Sequence, residues 1–413
     1  MIEPKLRFKA DDGSQFPDWE EHEIAELTQL YNEKVSSDCQ LPILTSSKKN
    51  GIEYQEEHFA GKQRHDIEGY NVLPRNYCTY RNRSDGTDFT FNINKLCDKG
   101  IVSKFYPVFK EKDCDLFFLV SLLNNERKIV RKIAFTAKGT GQKVLSITDL
   151  RNITVNMPSF PEQQKIAKFL STIDTVIERQ RETVSVWEER KKGVMQKLFS
   201  QEVRFKADDG SDFPEWEEKS FSDVFENLNN STFSRDCLNY EVGNVKYIHY
   251  GDILTKFGFV IDVQSSNVPY VNEDLDCEKY ALLSDGDIVI ADTAEDDTVG
   301  KAVEIMNTHC GKTISGLHTI ACHPMEKFAS KYLGYFMNAD IYHNQLRPYM
   351  QGIKVTSVSK TNIALTKILV PCLAEQQKIA DCLSSLDEVI EKQKATLAAW
   401  EELKKGLLQQ MFV

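Results

Sequence analysis

One 38-residue stretch occurs twice, and it limits what the chain can fold into more than any other feature. Residues 162–199, EQQKIAKFLSTIDTVIERQRETVSVWEERKKGVMQKLF, return at 375–412 as EQQKIADCLSSLDEVIEKQKATLAAWEELKKGLLQQMF, with 22 of the 38 positions identical. In the first copy apolar residues fall at Ile166, Leu170, Ile173, Ile177, Val184, Trp187, Val194 and Leu198. The second copy has them at Ile379, Leu383, Leu386, Ile390, Leu397, Trp400, Leu407 and Met411. Steps of four and three draw one stripe down a helix. At about 1.5 Å per residue each helix runs roughly 57 Å, longer than a compact domain needs. Both stripes are interrupted at matching places, Gln180 with Gln393 and Lys191 with Lys404. Matching interruptions argue for spacer helices whose seams meet, against two unrelated core helices. The seam residues are then Gln180, Trp187, Lys191, Gln393, Trp400 and Lys404. Antiparallel packing is expected, because it carries the segments joined to the helices to opposite ends. With Gln180 facing Gln393, Ile166 lies opposite Leu407 and Trp187 opposite Leu386.

A second repeat shows that the whole chain is a duplication. RFKADDGSQFPDWEE at 7–21 recurs as RFKADDGSDFPEWEE at 204–218, and all four tryptophans lie in repeated segments, Trp19 with Trp216 and Trp187 with Trp400. Between tag and helix lie two blocks of similar size and little visible similarity. Large aromatics confined to the shared parts imply that each tag packs on a helix end, a common scaffold carrying two payloads. The organisation expected is 1–161 first block, 162–200 central spacer helix, 201–373 second block and 374–413 C-terminal spacer helix.

Each block reads as α+β. In the first, the tag runs into a short helix (WEEHEIAELTQLYNEK), followed by short strands in LPILTSSKKNGIEY, GYNVLPRNYCTYRNRSDGTDFTFNI and GIVSKFYPVFK. DLFFLVSLLNNERKIVRKIAF reads as one buried helix, and KGTGQKVLSITDLRNITVNMP as a glycine-marked loop, a helical turn and a closing strand. In the second, VKYIHYGDILTKFGFVI, DGDIVIADTAEDDTVGKAVEI and ISGLHTIACHP read as strands, and EKFASKYLGYFMNADIYHNQLRPYM as a helical stretch. QGIKVTSVSKTNIALTKILVP matches the closing section of the first block, with Ser359, Thr361 and Pro371 on Ser146, Thr148 and Pro158.

Charge narrows the function. The chain has 51 basic and 62 acidic residues, net -11. Its basic excess is local: residues 75–151 hold 15 basic and 8 acidic side chains, whereas 200–373 hold 15 and 26. Neutralising phosphates takes a Lys or Arg at each, so an acidic chain that reads DNA needs partners for much of its grip. No apolar run approaches the roughly 18 residues of a membrane span, and the N-terminus has no signal-peptide apolar stretch, so a cytoplasmic protein is expected. Ten cysteines without a CxxC pair fit reduced thiols better than a disulfide framework or a zinc ribbon.

Catalytic motifs fail at named residues. HCGKT at 309–313 would need glycine at Met306 to be a phosphate loop. Asn267-Val268-Pro269-Tyr270 is one residue from the Asn-Pro-Pro-Tyr of adenine methyltransferases, without a glycine-rich cofactor loop. His309, Cys310, His318, Cys322 and His323 lack chelating spacing.

EQQKIA after a Pro-rich junction, the long WEE(R/L)KKG helix ending in Phe, and the duplicated variable block resemble the specificity subunit of type I restriction-modification systems. GYNVLPRNYCTYRNRS with GIVSKFYPVF, GDIVIADTAEDDTVGK and ISGLHTIACHP resemble phrases in that family's variable blocks. The resemblance spans essentially the whole chain. It implies two tandem α/β target recognition domains, each reading half of a split double-stranded DNA site, separated by two long antiparallel coiled-coil helices with pseudo-twofold symmetry. It also implies assembly with two methylation subunits, which bind S-adenosylmethionine, and with restriction subunits that use ATP and Mg, leaving this chain non-catalytic and without a cofactor. A coiled-coil scaffold whose blocks bind proteins is the alternative, and a self-sufficient methyltransferase a third reading. Loop residues with donors for phosphates or base edges are Ser47, Lys48, Tyr80, Arg81, Asn82, Arg83, Lys138, Gln142 and Lys143 in the first block, and Tyr250, Thr293, Lys301, His318, Gln351 and Lys354 in the second.

Overall fold

In the computed structural model, residues 4–58, 66–352 and 355–412 are described. The chain divides into two compact units, residues 1–181 with 395–413, and residues 182–394. The division falls inside the helices rather than at the block boundaries. The central helix, Phe160–Phe199, and the terminal helix, Leu373–Met411, each give one half to each unit.

The first unit is built on a four-stranded sheet in the order Thr28–Tyr31, Val108–Glu111, Cys78–Tyr80, Phe91–Ile93. The helix expected after the tag is instead strand Glu20–Glu23, a single turn Ile24–Leu27 and strand Thr28–Tyr31. Tertiary pairing overrides the helical spacing here. Glu20–Glu23 pairs antiparallel with the closing strand Thr154–Met157, Thr28–Tyr31 pairs with Val108–Glu111, and Ile24 and Leu27 stay buried.

The expected single helix over 115–135 is two, Leu116–Asn125 and Arg127–Thr136. Asp115 caps the first by accepting from Phe118 N at 2.8 Å, and Glu126, in an extended conformation, ends it and caps the second through Lys128 N. The first helix buries Phe118, Leu119, Leu122 and Leu123 with Tyr80, Phe91 and Phe109 in a core that also takes Ile166, Leu170, Met411 and Phe412 from the long helices. The second buries only Ile129 and Ile133.

In the second unit a five-stranded sheet runs in the order Phe225–Asn227, Thr319–Pro324, Ile288–Ala291, Ala302–Met306, Val260–Asp262. A four-stranded sheet contains Val245–Ile248 parallel to Lys312–Ser315. The expected strand run at 245–261 is interrupted by helix Tyr250–Thr255, whose Gly251 amide donates to the His249 ring.

Each tag is locked to the start of its long helix by the repeated Glu-Gln-Gln-Lys. Arg7 donates to both oxygens of Glu162 at 3.0 and 2.8 Å, and Arg204 to both oxygens of Glu375 at 3.1 and 2.9 Å; both carboxylates are fully buried. The next residue turns its amide inward. Gln163 donates to Pro158 O and accepts from Asp115 N, while Gln376 donates to Pro371 O and accepts from Ala329 N. The lysine two positions on pairs with the tag's aspartate, Lys165 with Asp11 and Lys378 with Asp208. Trp19 and Trp216 pack at these same helix ends, as the duplicated aromatics implied.

Ion pairs set the seam within each unit. The first unit holds Arg181–Glu401 (2.6 Å) and Asp174–Lys404 (2.5 Å), and the second holds Glu188–Lys394 (2.9 Å) and Lys191–Asp387 (2.5 Å). Under the repeat these are the same two pairs with the helices exchanged, and the paired segments run antiparallel. The register, however, is about seven residues from the expected one. Trp187 is aligned with Gln393 rather than Leu386, and the position opposite Leu407 is Ile173 rather than Ile166. Apolar steps of four and three fit equally well after a whole-heptad slip. Charge decides between them: the expected register would set Arg181 opposite Lys392.

Candidate nucleic-acid interface

The two units carry the same small construction at equivalent places. In the first, Arg83–Ser84 pairs antiparallel with Lys143–Val144, and Lys138 bridges to Val144. In the second, Thr293–Ala294 pairs with Thr356–Ser357, and Gln351 bridges to Ser357. Backbone bonds beside each pair also match: Leu145 N donates to Asn82 O, and Val358 N to Asp292 O, both at 2.9 Å. Gly139 and Gly352 hold the turn at φ of +125° and +130°, with no room for a Cβ against Gln142 O or Val355 O. Next, Ser146 and Ser359 cap the following helical turn through Asp149 N and Asn362 N. Arg83 thus corresponds to Thr293, Asn82 to Asp292 and Lys138 to Gln351. The scaffold is shared and the side chains differ.

Around the first hairpin the structure collects most of the expected residues. Ser46, Lys48, Arg81, Arg83, Ser84 and Thr87 line an open groove of about 560 Å³. Lys48 pairs with Asp88 at 2.7 Å, Gln142 donates to Asp85 at 3.0 Å, and Lys138 pairs with Asp149 at 2.9 Å. The Lys138 hydrogen bond, helped by Ser146, holds the Asp149 carboxyl below its ordinary range. Arg83 lays its guanidinium 3.9 Å over the Phe105 ring. Ser47 shapes the preceding hairpin, its hydroxyl accepting from Asn50 N. Tyr80 is a correction: it lies in the core with its hydroxyl donating to Leu145 O at 3.0 Å, out of reach of any ligand.

Around the second hairpin, Tyr250 stacks on His249 (centroids 4.7 Å apart) and meets His318 edge-on at 5.3 Å. His318 sits at φ +55°, beside Asp292 and Thr293. His249 is buried; desolvation and then the charge of Arg235 push its pKa down to about 4, so the ring is neutral and can accept from Gly251 N. Burial raises Asp252, but hydrogen bonds from Arg235 and Lys256 outweigh it and keep the carboxylate below its ordinary value. Lys301 is a second correction. Its ammonium caps the end of helix Tyr250–Thr255 by donating to Leu254 O and Phe257 O, and desolvation lowers its pKa. Lys354 lies outside the described residues.

Sequence reasoning missed Ser84, Thr87, Phe105 and the glycine pair. A signal for the glycines was present: Gly139 and Gly352 are 213 apart, the offset of the long helices and of Ser146 with Ser359. Phe105 had none, because only folding brings it beneath Arg83.

Comparison with known proteins places this architecture. A family model described as type I restriction modification DNA specificity domain matches twice, at residues 18–184 and 214–399. The type I restriction enzyme MjaVIII specificity subunit of Methanocaldococcus jannaschii is 26% identical over 336 residues, 76% of this chain and 73% of that protein. The putative MjaX specificity subunit of the same organism is 26% identical over 302 residues, 71% of this chain and 66% of that protein. A solved type I restriction-modification S subunit from M. genitalium has the same fold, with a TM-score of 0.54 at 14% identity, covering 100% of this chain and 99% of the other.

Proposed function

The chain belongs to the type I restriction-modification DNA specificity family, and on that premise we propose that each of its units reads one half of a split, asymmetric duplex site. The observation that carries this reading is the matched pair of hairpins, built alike in backbone and unlike in side chain. Duplicated readers with different side chains suit two half-sites of different sequence. Phosphate contacts position a protein and base-edge contacts specify, and the hairpin side chains supply donors for both. The long helices set the gap between half-sites and dock two methylation subunits. Methyl transfer to adenine with S-adenosylmethionine, and ATP- and Mg-dependent restriction, belong to partner subunits; this chain is assigned no cofactor and no catalytic residue. The net charge of -11 fits a reader whose partners close around the duplex.

The test is selection from a randomised duplex library by the chain assembled with its methylation subunits. Enrichment of two short sequences separated by a fixed unspecified gap supports the reading. Indifference to DNA sequence would leave a protein-binding scaffold.

A further inference from the structure

We propose that Arg83 reads a guanine in the half-site bound by the first unit; this deepens the functional reading above and rests on it. The backbone around Arg83 is held from both sides. Asn82 N donates to Phe105 O at 2.9 Å, Asn82 O accepts from Leu145 N at 2.9 Å, and Arg83 itself lies opposite Val144 in the hairpin. Its guanidinium lies 3.9 Å over the Phe105 ring, a contact that holds an otherwise exposed group in place without using its N–H donors.

Carboxylates near the fork are already engaged. Asp85 accepts from Gln142, Asp88 pairs with Lys48 and Asp149 pairs with Lys138. Among the described residues Arg83 makes no ion pair, so an exposed guanidinium seated on an aromatic ring lines the groove with its N–H donors unclaimed by a carboxylate. Guanine presents two acceptors, O6 and N7, side by side on the major-groove edge, and a planar guanidinium matches them in a bidentate pair. A phosphate also offers two oxygens, but it asks little of orientation and is served by any exposed cation, such as Arg81 or Lys104 nearby. Fixing one arginine on an aromatic shelf favours the contact in which geometry decides. The equivalent position in the second unit is Thr293, which cannot form such a fork, so the guanine contact belongs to one half-site only.

The test compares the full chain, assembled with its methylation subunits, as wild type, Arg83→Ala, Arg83→Lys and Phe105→Leu, each selecting from a duplex library randomised across both half-sites and the gap. Wild type is expected to select a G·C pair in one half-site. Arg83→Ala and Arg83→Lys should lose roughly tenfold or more of the preference at that single position, with the other half-site unchanged. Phe105→Leu should lose part of the same preference at the same position. Uniform weakening across all sequences, with the salt dependence reduced by about one counterion, would make Arg83 a phosphate contact and overturn the assignment. Unaltered preferences in the Arg83 variants would overturn it too. A wild-type complex that selects no sequence overturns the functional reading and this assignment together, whereas a selective wild type with an equally selective Arg83→Ala overturns only the assignment.

Discussion

Arg7 and Glu162 stand 155 residues apart, and Arg204 and Glu375 171 apart, yet each pair closes the same bidentate bond on a buried carboxylate. Removing the acid takes the buried carboxylate from a poorly solvated guanidinium, which costs on the order of 3 kcal/mol. Glu162→Ala and Glu375→Ala should therefore both lower the urea midpoint. Glu375→Ala should lower it more, by about a further 1 kcal/mol, because Glu375 also accepts from the Trp216 indole at 2.9 Å. Equal losses would remove the indole from the account. A second carboxylate carries a pH signature. Glu304 is buried, and desolvation pushes its pKa from 4.5 up to about 7, against the amides of Gly334 and Lys331 and the charge of Lys331. Folded protein holds this proton where the unfolded chain has released it. The contribution to stability is thus complete below pH 4.5 and is lost as pH rises to about 7. Glu304→Gln should flatten that part of the stability profile, measured by unfolding between pH 4.5 and 8; the neighbouring Asp287, also raised by burial, leaves a residual slope of the same sign. An unchanged profile would mean that Glu304 is ionised throughout. At this scale the sequence displayed the conserved spelling of the two copies but not its use. The repeated tag and the repeated Glu-Gln-Gln-Lys are each legible, whereas their pairing is a contact between distant segments. Tyr80 and Lys301 misled for a related reason: both have hydrogen-bonding ends, and only burial shows that backbone carbonyls already occupy them.

The long helices show where periodicity informs and where it stops. Their existence, length and antiparallel sense followed from one stripe and its repeat, but their register did not, because a seven-residue pattern fits itself at every seventh step. Flanking charges carry the missing information, and they are not equal in the two units. Asp174 pairs with Lys404 at a half-exposed place. Asp387 pairs with Lys191, whose side chain is only 13% exposed, and also accepts from Tyr335 OH at 2.6 Å; Lys191 in turn lies over the Phe259 and Tyr335 rings. Asp174→Ala should cost less than about 1 kcal/mol, as exposed pairs do. Asp387→Ala should cost about 2 kcal/mol, from the lost hydrogen bond from Tyr335 and a largely buried ammonium left without its carboxylate. Thermal unfolding of the two variants, read against double variants with Lys404→Ala and Lys191→Ala, separates the pair terms. Similar coupling in both would show that the aromatic surroundings contribute nothing. Short elements were harder to read than long ones. The strands at 20–31 carry helical spacing that sheet pairing overrides, and the break at Glu126 depends on a cap that composition does not advertise.

At the scale of the whole molecule, the duplication was plain in the sequence but the compact units were not, since they are cut at 181/182 and 394/395, inside continuous helices. Tag and block give linear boundaries; packing does not follow them, because each unit needs one half of each helix. This makes a sharp prediction for the gap between half-sites. Seven residues inserted at both 181/182 and 394/395 lengthen both helices by about 10 Å and leave the four seam ion pairs intact. The recognised halves should keep their sequences while the gap widens by up to about three base pairs at roughly 3.4 Å each. A single insertion at 181/182 lengthens one helix against an unaltered partner and should reduce assembly or activity. Methylation mapping of both variants decides: an unchanged gap in an active double-insertion variant would end the idea that the helices act as a ruler. The split composition of the first unit has one more consequence, for synthesis. Phe412 packs on Phe118, and Leu6 N donates to Gln410 O. A ribosome delivers that strip only after the entire second unit has emerged, so the first unit must wait, incomplete, through the making of its twin. Nascent chains arrested before residue 395 should therefore present a protease-sensitive first half that becomes resistant only when the last helix is released.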